Sequence, residues 1–495
     1  MKLSGLFKKA SALVLAGVMC FGLFACGGDG NTPSGDTPDT GKIKVTVGYT
    51  LDYEEVYTKM IEAFEKEHPD IDVVGRVVSS SMYGQYEDMT ALAAANNLPD
   101  ICVGSEHFGE ILMNGWAYPL DNLIAEDPDA DSIMKQALIN FSYGGYCYGL
   151  PMQIQFNSLC INLDLLEMLN EDAPDYDWTI EDFVALCNKS TTDQYSAINY
   201  IYNSANPTWG LDNKLMGSYI PDGYHQYGYS FETHNIDLTV NNAWVDSNKL
   251  LKSLLSVPGL VSDELKKTTT NGISDYEKKF GEGADALLSG KVLFGNHSTW
   301  EYSLYNKGTF EFDVYPMPTD SDFDQRIQTH FDFAYMTTKV TQENRKAAYE
   351  FLKFITYGDG CLIRIEENMK LLKEMPTAFK IYIPASQDPD VMAAFEATDI
   401  VPGIKYMYNK IIEDPGCILV ADGDKLIPSF WNDIVQFRDS ATQAVINGTD
   451  PAALVNDFQN SASFAVGERW TFFEAAMNKN ITKFFQDHPW ETPKN

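Results

Sequence analysis

The chain has 495 residues, which is too long for one ordinary hydrophobic core, so we expect two lobes or more. Hydrophobic residues make up 44% of the sequence and aromatic residues 13%, which is enough to build such cores. The formal net charge of -34 disfavours nucleic acid phosphates and anionic lipid headgroups as partners, and we expect no binding to nucleic acid.

Residues 1–25 are typical of a secretory signal, because three lysines precede an apolar run that is too short to span a membrane comfortably. The letters "LFAC", which end at Cys26, resemble the lipobox of bacterial lipoproteins, whose cysteine is acylated and becomes the mature N-terminus. We therefore expect a lipid anchor at Cys26, on the extracellular face of the cell membrane; an ordinary cleaved signal is the alternative. Residues 26–41 contain no large apolar side chain, which predicts a flexible tether.

The first elements after the tether alternate between strands and helices. Alternating Ile43, Val45 and Val47 predict a strand, and apolar side chains at every fourth position of "VYTKMIEAF" predict an amphipathic helix. A second strand in "IDVVGRVV", a helix in "QYEDMTALAAANNLP" and a short buried strand in "ICV" follow. This succession predicts an α/β fold in which helices cover a parallel sheet.

Six cysteines remain if Cys20 and Cys26 belong to the signal and the anchor. They form no C-x-x-C pair and lie far apart, so we expect buried free thiols and neither a zinc site nor a disulfide-dense scaffold, with one disulfide as the alternative. The six are Cys102, Cys147, Cys160, Cys187, Cys361 and Cys417.

Three aspartates in "DPDADS", at 127, 129 and 131, alternate as they do at the start of a calcium-binding loop. An EF-hand also needs Gly at its sixth position and Glu at its twelfth, and here those positions hold Ser132 and Leu138. We therefore expect a solvated acidic loop, and no metal site or cofactor in the chain.

Seven later stretches resemble, in the same order, segments of the family 1 extracellular solute-binding proteins of ABC importers. They include an Asn-x-Asp at Asn162 and Asp164, a capped helix start at Thr179, and a closing helix pair with Asp450 before Pro451. The stretches are "AAANNLPDICVGSEHFGEILMNGWAYPLDNLI", "YGLPMQIQFNSLCINLDLLEML", "YDWTIEDFVALCNK", "FGEGADALLSGKVLFGNHSTWEY", "VYPMPTD", "FAYMTTKVTQENRKAAYEFLKFITYGDG" and "QAVINGTDPAALVNDFQ".

The resemblance implies a two-lobed α/β fold of the periplasmic-binding-protein type (type II), with a hinge between the lobes. It assigns 42–150 and 329–375 to lobe 1, and 151–328 and 376–495 to lobe 2. Two segments have no counterpart in the family: the extra length between 200 and 275, and the tail 468–495.

The resemblance also implies a ligand site in the cleft between the lobes, where sugar hydroxyls need polar side chains and sugar C–H faces need aromatic rings. Trp300 matches the stacking tryptophan of the family. For the tryptophans at 209, 244 and 431, packing in the core is an equal alternative. The expected ligand-binding residues are Tyr49, Asp52, Tyr53, Ser105, Glu106, His107, Gln153, Gln155, Asn157, Trp209, Trp300, Asp332 and Trp431.

The partners that the resemblance implies are a carbohydrate, an oligosaccharide by expectation, and the membrane permease subunits of an ABC importer. We expect a monomer that reaches the membrane only through its lipid anchor and that has no catalytic residues. Two alternatives stay open: a secreted glycoside hydrolase or lyase, which would need two carboxylates across a glycosidic bond, and a receptor for peptides or other small solutes.

Overall fold

The computed structural model describes residues 41–81, 84–201, 210–296 and 298–492. The predicted signal, the anchor at Cys26 and all but the last residue of the predicted tether lie outside these residues. Among the residues described, no helix combines the length and the apolar character that crossing a bilayer requires.

Strands and helices alternate along the described chain. The strands are β1 (Ile43–Thr50), β2 (Ile71–Ser79), β3 (Ile101–Gly104), β4 (Ser142–Tyr143), β5 (Tyr146–Cys147), β6 (Leu150–Phe156), β7 (Ser158–Asn162), β8 (Ser196–Ile198), β9 (Tyr229–Ser230), β10 (Asn235–Ile236), β11 (Thr269–Thr270), β12 (Ile273–Ser274), β13 (Val292–Gly295), β14 (Phe312–Pro316), β15 (Ile327–Met336), β16 (Ile383–Pro384) and β17 (Ile418–Val420). The α-helices are α1 (Glu54–Glu67), α2 (Gln85–Ala94), α3 (Phe108–Met113), α4 (Asp121–Glu126), α5 (Leu163–Leu169), α6 (Ile180–Ser190), α7 (Leu211–Gly217), α8 (Ala243–Ser256), α9 (Asp275–Phe280), α10 (Tyr302–Tyr305), α11 (Arg345–Thr356), α12 (Gly360–Glu374), α13 (Pro389–Glu396), α14 (Pro402–Glu413), α15 (Phe430–Ile446) and α16 (Pro451–Asp487).

Two sheets form the centres of two lobes, which confirms the predicted α/β class. The larger sheet has seven strands in the order β16-β6-β15-β3-β1-β2, and β17 pairs with β15. β1 and β2 are parallel, as their strand-helix-strand pattern predicts, whereas β15 runs antiparallel to β3 and β6. The smaller sheet has four strands in the order β14-β7-β13-β8.

The chain crosses between the sheets at two neighbouring strands. A single residue, Asn157, separates β6 of the larger sheet from β7 of the smaller one. Residues 317–326 lead back from β14 to β15, which is the neighbour of β6. The two crossings therefore lie side by side, which is the arrangement of a hinge.

The structure places the segment after 376 differently from the boundaries that the resemblance implies. β16 pairs with β6 and β17 pairs with β15, so both strands belong to the larger sheet. Phe379, Tyr382 and Phe395 are buried in the core of that lobe. β16 and β17 therefore extend lobe 1, because their strand edges find partners there, whereas α14 between them also contacts β14 of the smaller sheet, where the Gly403 N–H donates to Asp313 Oδ1.

The two segments without a family counterpart are parts of the folded cores. Trp244 and Leu251 of α8, in the extra length between 200 and 275, are buried with the smaller sheet. In the tail, Phe473 and Phe484 of α16 are buried in the cores on the larger sheet. Packing in the core, one of the two interpretations of Trp244, is what the structure shows.

The six cysteines outside the signal and anchor are all free and buried, as expected. The expectation of a solvated acidic loop is wrong for Asp127, whose side chain is only 3% exposed. Its carboxylate is 2.7 Å from the ammonium of Lys353 and accepts hydrogen bonds from Tyr357 and Tyr349. Burial alone would raise the pKa of Asp127, but the bonds from Lys353 and Tyr357 hold it below its usual value.

Replacing Lys353 with methionine should destabilise the protein by about 3 kcal/mol, because it leaves the buried carboxylate of Asp127 without its cation. Lys346→Met is a matched control on the same helix, because its pair with Glu126 is exposed and is worth about 0–1 kcal/mol. Denaturant unfolding at pH 7 measures both changes. The deficit of Lys353→Met should shrink as acid protonates Asp127, and equal losses for the two variants would contradict this assignment.

Candidate functional site

A strip of polar side chains runs along β6 and β15, the two strands next to the hinge. Gln153 lies opposite Asp332, and Gln155 lies opposite His330. Alternate residues of a strand point to opposite faces, so Asn157 and Gln328 extend the strip toward the crossing. The intervening side chains, such as Phe331, are buried in the apolar core. β6 and β15 therefore present one polar face and one apolar face.

Hydrogen bonds attach the loop that carries Trp300 to the hinge end of this strip. Ser298 Oγ donates to Asn157 Oδ1 (3.1 Å), and Thr299 Oγ1 donates to Gln155 Oε1 (2.6 Å). The ring of Trp300 meets that of His330 edge to face, with centroids 5.2 Å apart. Trp300 therefore borders the polar strip, while most of the polar atoms of Gln155 and Asn157 are engaged with the protein itself.

Asp332 differs from its neighbours because, among the described residues, its carboxylate makes no hydrogen bond. Its side chain keeps partial access to solvent although protein surrounds it on most sides. Burial raises the pKa of Asp332 to about 6. The positive charges of Lys425, Arg364 and His330 lower this pKa, whereas the negative charge of Asp422 raises it further. An under-satisfied carboxylate of this kind is a ready acceptor for donors of a ligand.

Arg364 of α12 lies beside Asp332 and supplies donors, and sequence reasoning missed it. Its guanidinium is buried between two aromatic rings, 5.1 Å from the centroid of Tyr53 and 4.1 Å from that of Tyr382. One nitrogen, Nη2, donates to Gln153 Oε1, whereas Nη1 has no acceptor among the described residues. An arginine in the middle of an amphipathic helix, among residues that the helix period assigns to the core, was the available signal.

Sequence reasoning also missed the ion pair between Asp422 and Lys425, which lies next to His330 of the strip. Their charged atoms are 2.8 Å apart, and both side chains are buried. His330 Nδ1 is 3.5 Å from Asp422 Oδ2. Burial would raise the pKa of Asp422, but Lys425 and His330 hold it below its usual value. With Asp332 and Arg364, the strip therefore carries two acidic and two basic side chains that balance each other.

Of the residues predicted after β1, only Tyr53 reaches this site. Tyr49 is buried in the core and stacks on Tyr57, with ring centroids 4.6 Å apart. Asp52 is exposed and forms an ion pair with Lys380. The reason is the pleat of β1, which directs Tyr49 into the helix-covered face of the sheet.

The loop Ser105–His107 follows β3, whose last residue Gly104 pairs with Phe333. Ser105 therefore leaves the sheet next to Asp332. His107 lies farther out, in a left-handed conformation, with its ring stacked on Tyr86. Bonding to the nearby carboxylate of Glu110 raises the pKa of His107. The adjacent cavity, which Glu106 and His107 line, has a volume of about 20 Å³ and suits a water molecule and not a sugar ring.

Two predicted site residues are not placed by the structure. Trp209 lies outside the described residues. Trp431 belongs to α15, but the position of its side chain lies outside what the structure describes. Both therefore stay predictions.

A two-lobed α/β fold with a polar strip beside the hinge is the architecture of solute-binding proteins. The family of bacterial extracellular solute-binding proteins matches residues 50–356, which is more than half of the chain. The chain belongs to this family.

Solved structures with the same fold come from several bacteria. An ABC substrate-binding protein of Listeria monocytogenes, in complex with cycloalternan, has a TM-score of 0.59 and 17% identity, covering 86% of this chain and 99% of its own. The sugar-binding protein MalE of Xanthomonas citri has a TM-score of 0.62 and 13% identity, covering 87% and 99%. A chitin oligosaccharide binding protein has a TM-score of 0.57 and 17% identity, covering 86% and 99%. At such identities the likeness concerns the fold, which confirms the two lobes.

Replacing Asp332 with asparagine should stabilise the protein at pH 7 by about 1–2 kcal/mol, because the folded state holds this carboxylate ionised at a cost. The raised pKa means that wild type gains stability relative to the variant as the pH falls through 6, since folding then takes up a proton. Unfolding at pH 7 and pH 4 measures this, with the exposed Asp322→Asn as control. A difference that does not change with pH would contradict the raised pKa.

Proposed function

We propose that the protein is the lipid-anchored, extracellular solute-binding subunit of an ABC importer. It captures a carbohydrate, an oligosaccharide, between its lobes and delivers it unaltered to the permease subunits. The observation that carries this proposal is a trio at the strip: the carboxylate of Asp332 and the Nη1 of Arg364, neither of which has a hydrogen-bond partner in the described part of the chain, and the bordering ring of Trp300.

The trio matches the chemistry of a sugar. A hydroxyl group both donates and accepts, so one hydroxyl can donate to Asp332 while it accepts from Arg364. The C–H face of the ring packs on an aromatic side chain, which Trp300 offers. Because the two acidic and two basic side chains of the strip balance in net charge, an uncharged ligand adds no uncompensated charge to the site.

Related structures favour an oligosaccharide. Proteins with this fold have been solved with cycloalternan and with mannotriose, and one is a chitin oligosaccharide binding protein. One relative, UgpB of Mycobacterium tuberculosis, was solved with glycerophosphocholine, so a ligand of that kind is the natural competing outcome.

Binding without catalysis is supported by the different surroundings of the two carboxylates. A glycosidase needs two carboxyl groups that face one glycosidic bond. Here the Oδ2 atom of the buried Asp422 is engaged by Lys425, His330 and the backbone N–H of Phe331, whereas the carboxylate of Asp332 keeps partial access to solvent and can meet a ligand. This arrangement suits recognition.

The test is a glycan array with residues 41–495, followed by calorimetry on the hits and analysis of the products. We expect saturable binding of an oligosaccharide and no cleavage products. Turnover of the sugar would support the hydrolase alternative. Binding of glycerophosphocholine without binding of any sugar would show that the ligand is not a carbohydrate.

Trp300→Ala should weaken sugar binding at least about tenfold, because the ligand loses its aromatic platform. The fold should stay stable to within about 1–3 kcal/mol. Phe464→Ala is the control, since this ring is 68% exposed and lies on α16 away from the strip. Calorimetry measures both affinities, and an unchanged affinity for Trp300→Ala would remove this residue from the site.

Cys26→Ser should release the protein from membranes, because the thiol is the expected site of acylation. Fractionation of cells that express each form measures this. Retention of the variant in the membrane fraction would disprove the anchor.

A further inference from the structure

One helix is buried against the cores of both lobes. α16 has 37 residues and is therefore about 55 Å long. Along its first half, Val455, Phe458 and Val466 are buried in the core of the smaller lobe, where Phe458 meets Trp244 edge to face. These contacts fix the first half to the smaller lobe.

The second half of α16 packs on the larger lobe. Phe473 is buried against Tyr143, with ring centroids 4.9 Å apart, and Phe484 meets Tyr118 at the same distance. Asn480 Nδ2 donates to the carbonyl oxygens of two residues at the end of α3, at 2.9 and 2.8 Å.

The short turn after α16, Pro489–Glu491, is held on the same lobe by a buried ion pair. Glu491, which is 3% exposed, lies 2.9 Å from the guanidinium of Arg345. Its carboxylate also accepts hydrogen bonds from Tyr118 (2.7 Å) and Asn122 (2.7 Å). The second half of α16 is therefore held by polar as well as apolar contacts.

The hairpin β9–β10, part of the extra length between 200 and 275, binds the middle of α16. Gln459 exchanges hydrogen bonds with the backbone of Ile236 (2.9 Å) and Leu238 (2.6 Å). The ring of His234 stacks on Trp470 at 3.7 Å, and the other edge of Trp470 meets Tyr143 of the larger lobe at 5.7 Å. Trp470 therefore lies at the junction of the two lobes.

Gly467 lies on α16 between the last side chain buried in one lobe and the first buried in the other. A Cβ at this position would meet nothing within 4 Å, so packing does not require glycine here. A glycine inside a helix costs roughly 1 kcal/mol relative to alanine and makes the backbone easier to bend.

We propose that α16 is a brace that restricts the rotation of the two lobes about the hinge and that bends at Gly467. A rotation that α16 cannot follow by bending must withdraw side chains such as Phe473 or Phe484 from a core. The brace therefore narrows the range of lobe angles in the free protein. On the proposed function, on which this consequence rests, fewer lobe angles mean a smaller conformational cost of binding and a higher affinity.

The test measures the distance between spin labels, one on each lobe, in the full chain in detergent without ligand. Glu62→Cys on α1 and Asn188→Cys on α6 are exposed labelling sites, and the six described cysteines are buried. The variant Trp470→Ala/Phe473→Ala should roughly double the width of the distance distribution, since it removes the contacts at the junction. The control Phe464→Ala/Phe472→Ala removes two exposed rings from the same helix and should leave the width unchanged.

Gly467→Ala keeps the inference testable if the double variant fails to fold. A stiffer helix should narrow the distribution and raise the melting temperature. Unchanged widths in every variant that folds would overturn the brace. Because no ligand is present, this result is independent of whether the solute is a sugar, and loss of sugar affinity is measured separately.

Discussion

The adjacency of β6 and β15 is the constraint on which the site and the hinge depend. The two strands pair antiparallel in the larger sheet, and each continues at the same end into the smaller sheet. Their pairing fixes where the lobes can rotate. Because the pleat places alternate side chains on one face, it also aligns Gln153, His330 and Asp332 beside the axis of that rotation. A strip of polar groups buried in a sheet is costly unless each group has a partner.

Most of that cost is offset inside the protein. His330 and Asn157 bond to each other, and Asp422 is paired with Lys425. The carboxylate of Asp332 makes no hydrogen bond among the described residues, and burial raises its pKa to about 6. A solute with hydroxyl groups would supply the missing donors, so the least satisfied group of the strip is also the one that best explains what the cleft binds.

The added segments act on the same hinge from outside. The hairpin β9–β10 and α16 bind each other, and together they contact both lobes. α7 contributes directly to the crossings, because Gln328 donates to the carbonyl oxygen of Lys214 and also accepts from Asn157. In this protein the added segments therefore brace the hinge, while β6 and β15 carry the polar strip.

The sequence alone determined the alternation of strands and helices, the capping box at Thr179 and the cap at Asp450, because these depend on residues within one or two turns of each other. The resemblance of the motifs, in their order, to the family also predicted the two lobes. Only the tertiary structure decided which side chains surround the cleft. Arg364 and the pair Asp422 and Lys425 lie up to about a hundred residues from Asp332 along the chain, and their own neighbours in sequence give no sign of that meeting. Tyr49 shows the converse, because a residue next to the site in sequence is turned into the core by the pleat. Local periodicity determines the secondary-structure elements, whereas contacts between elements that are distant in sequence determine which residues form the site.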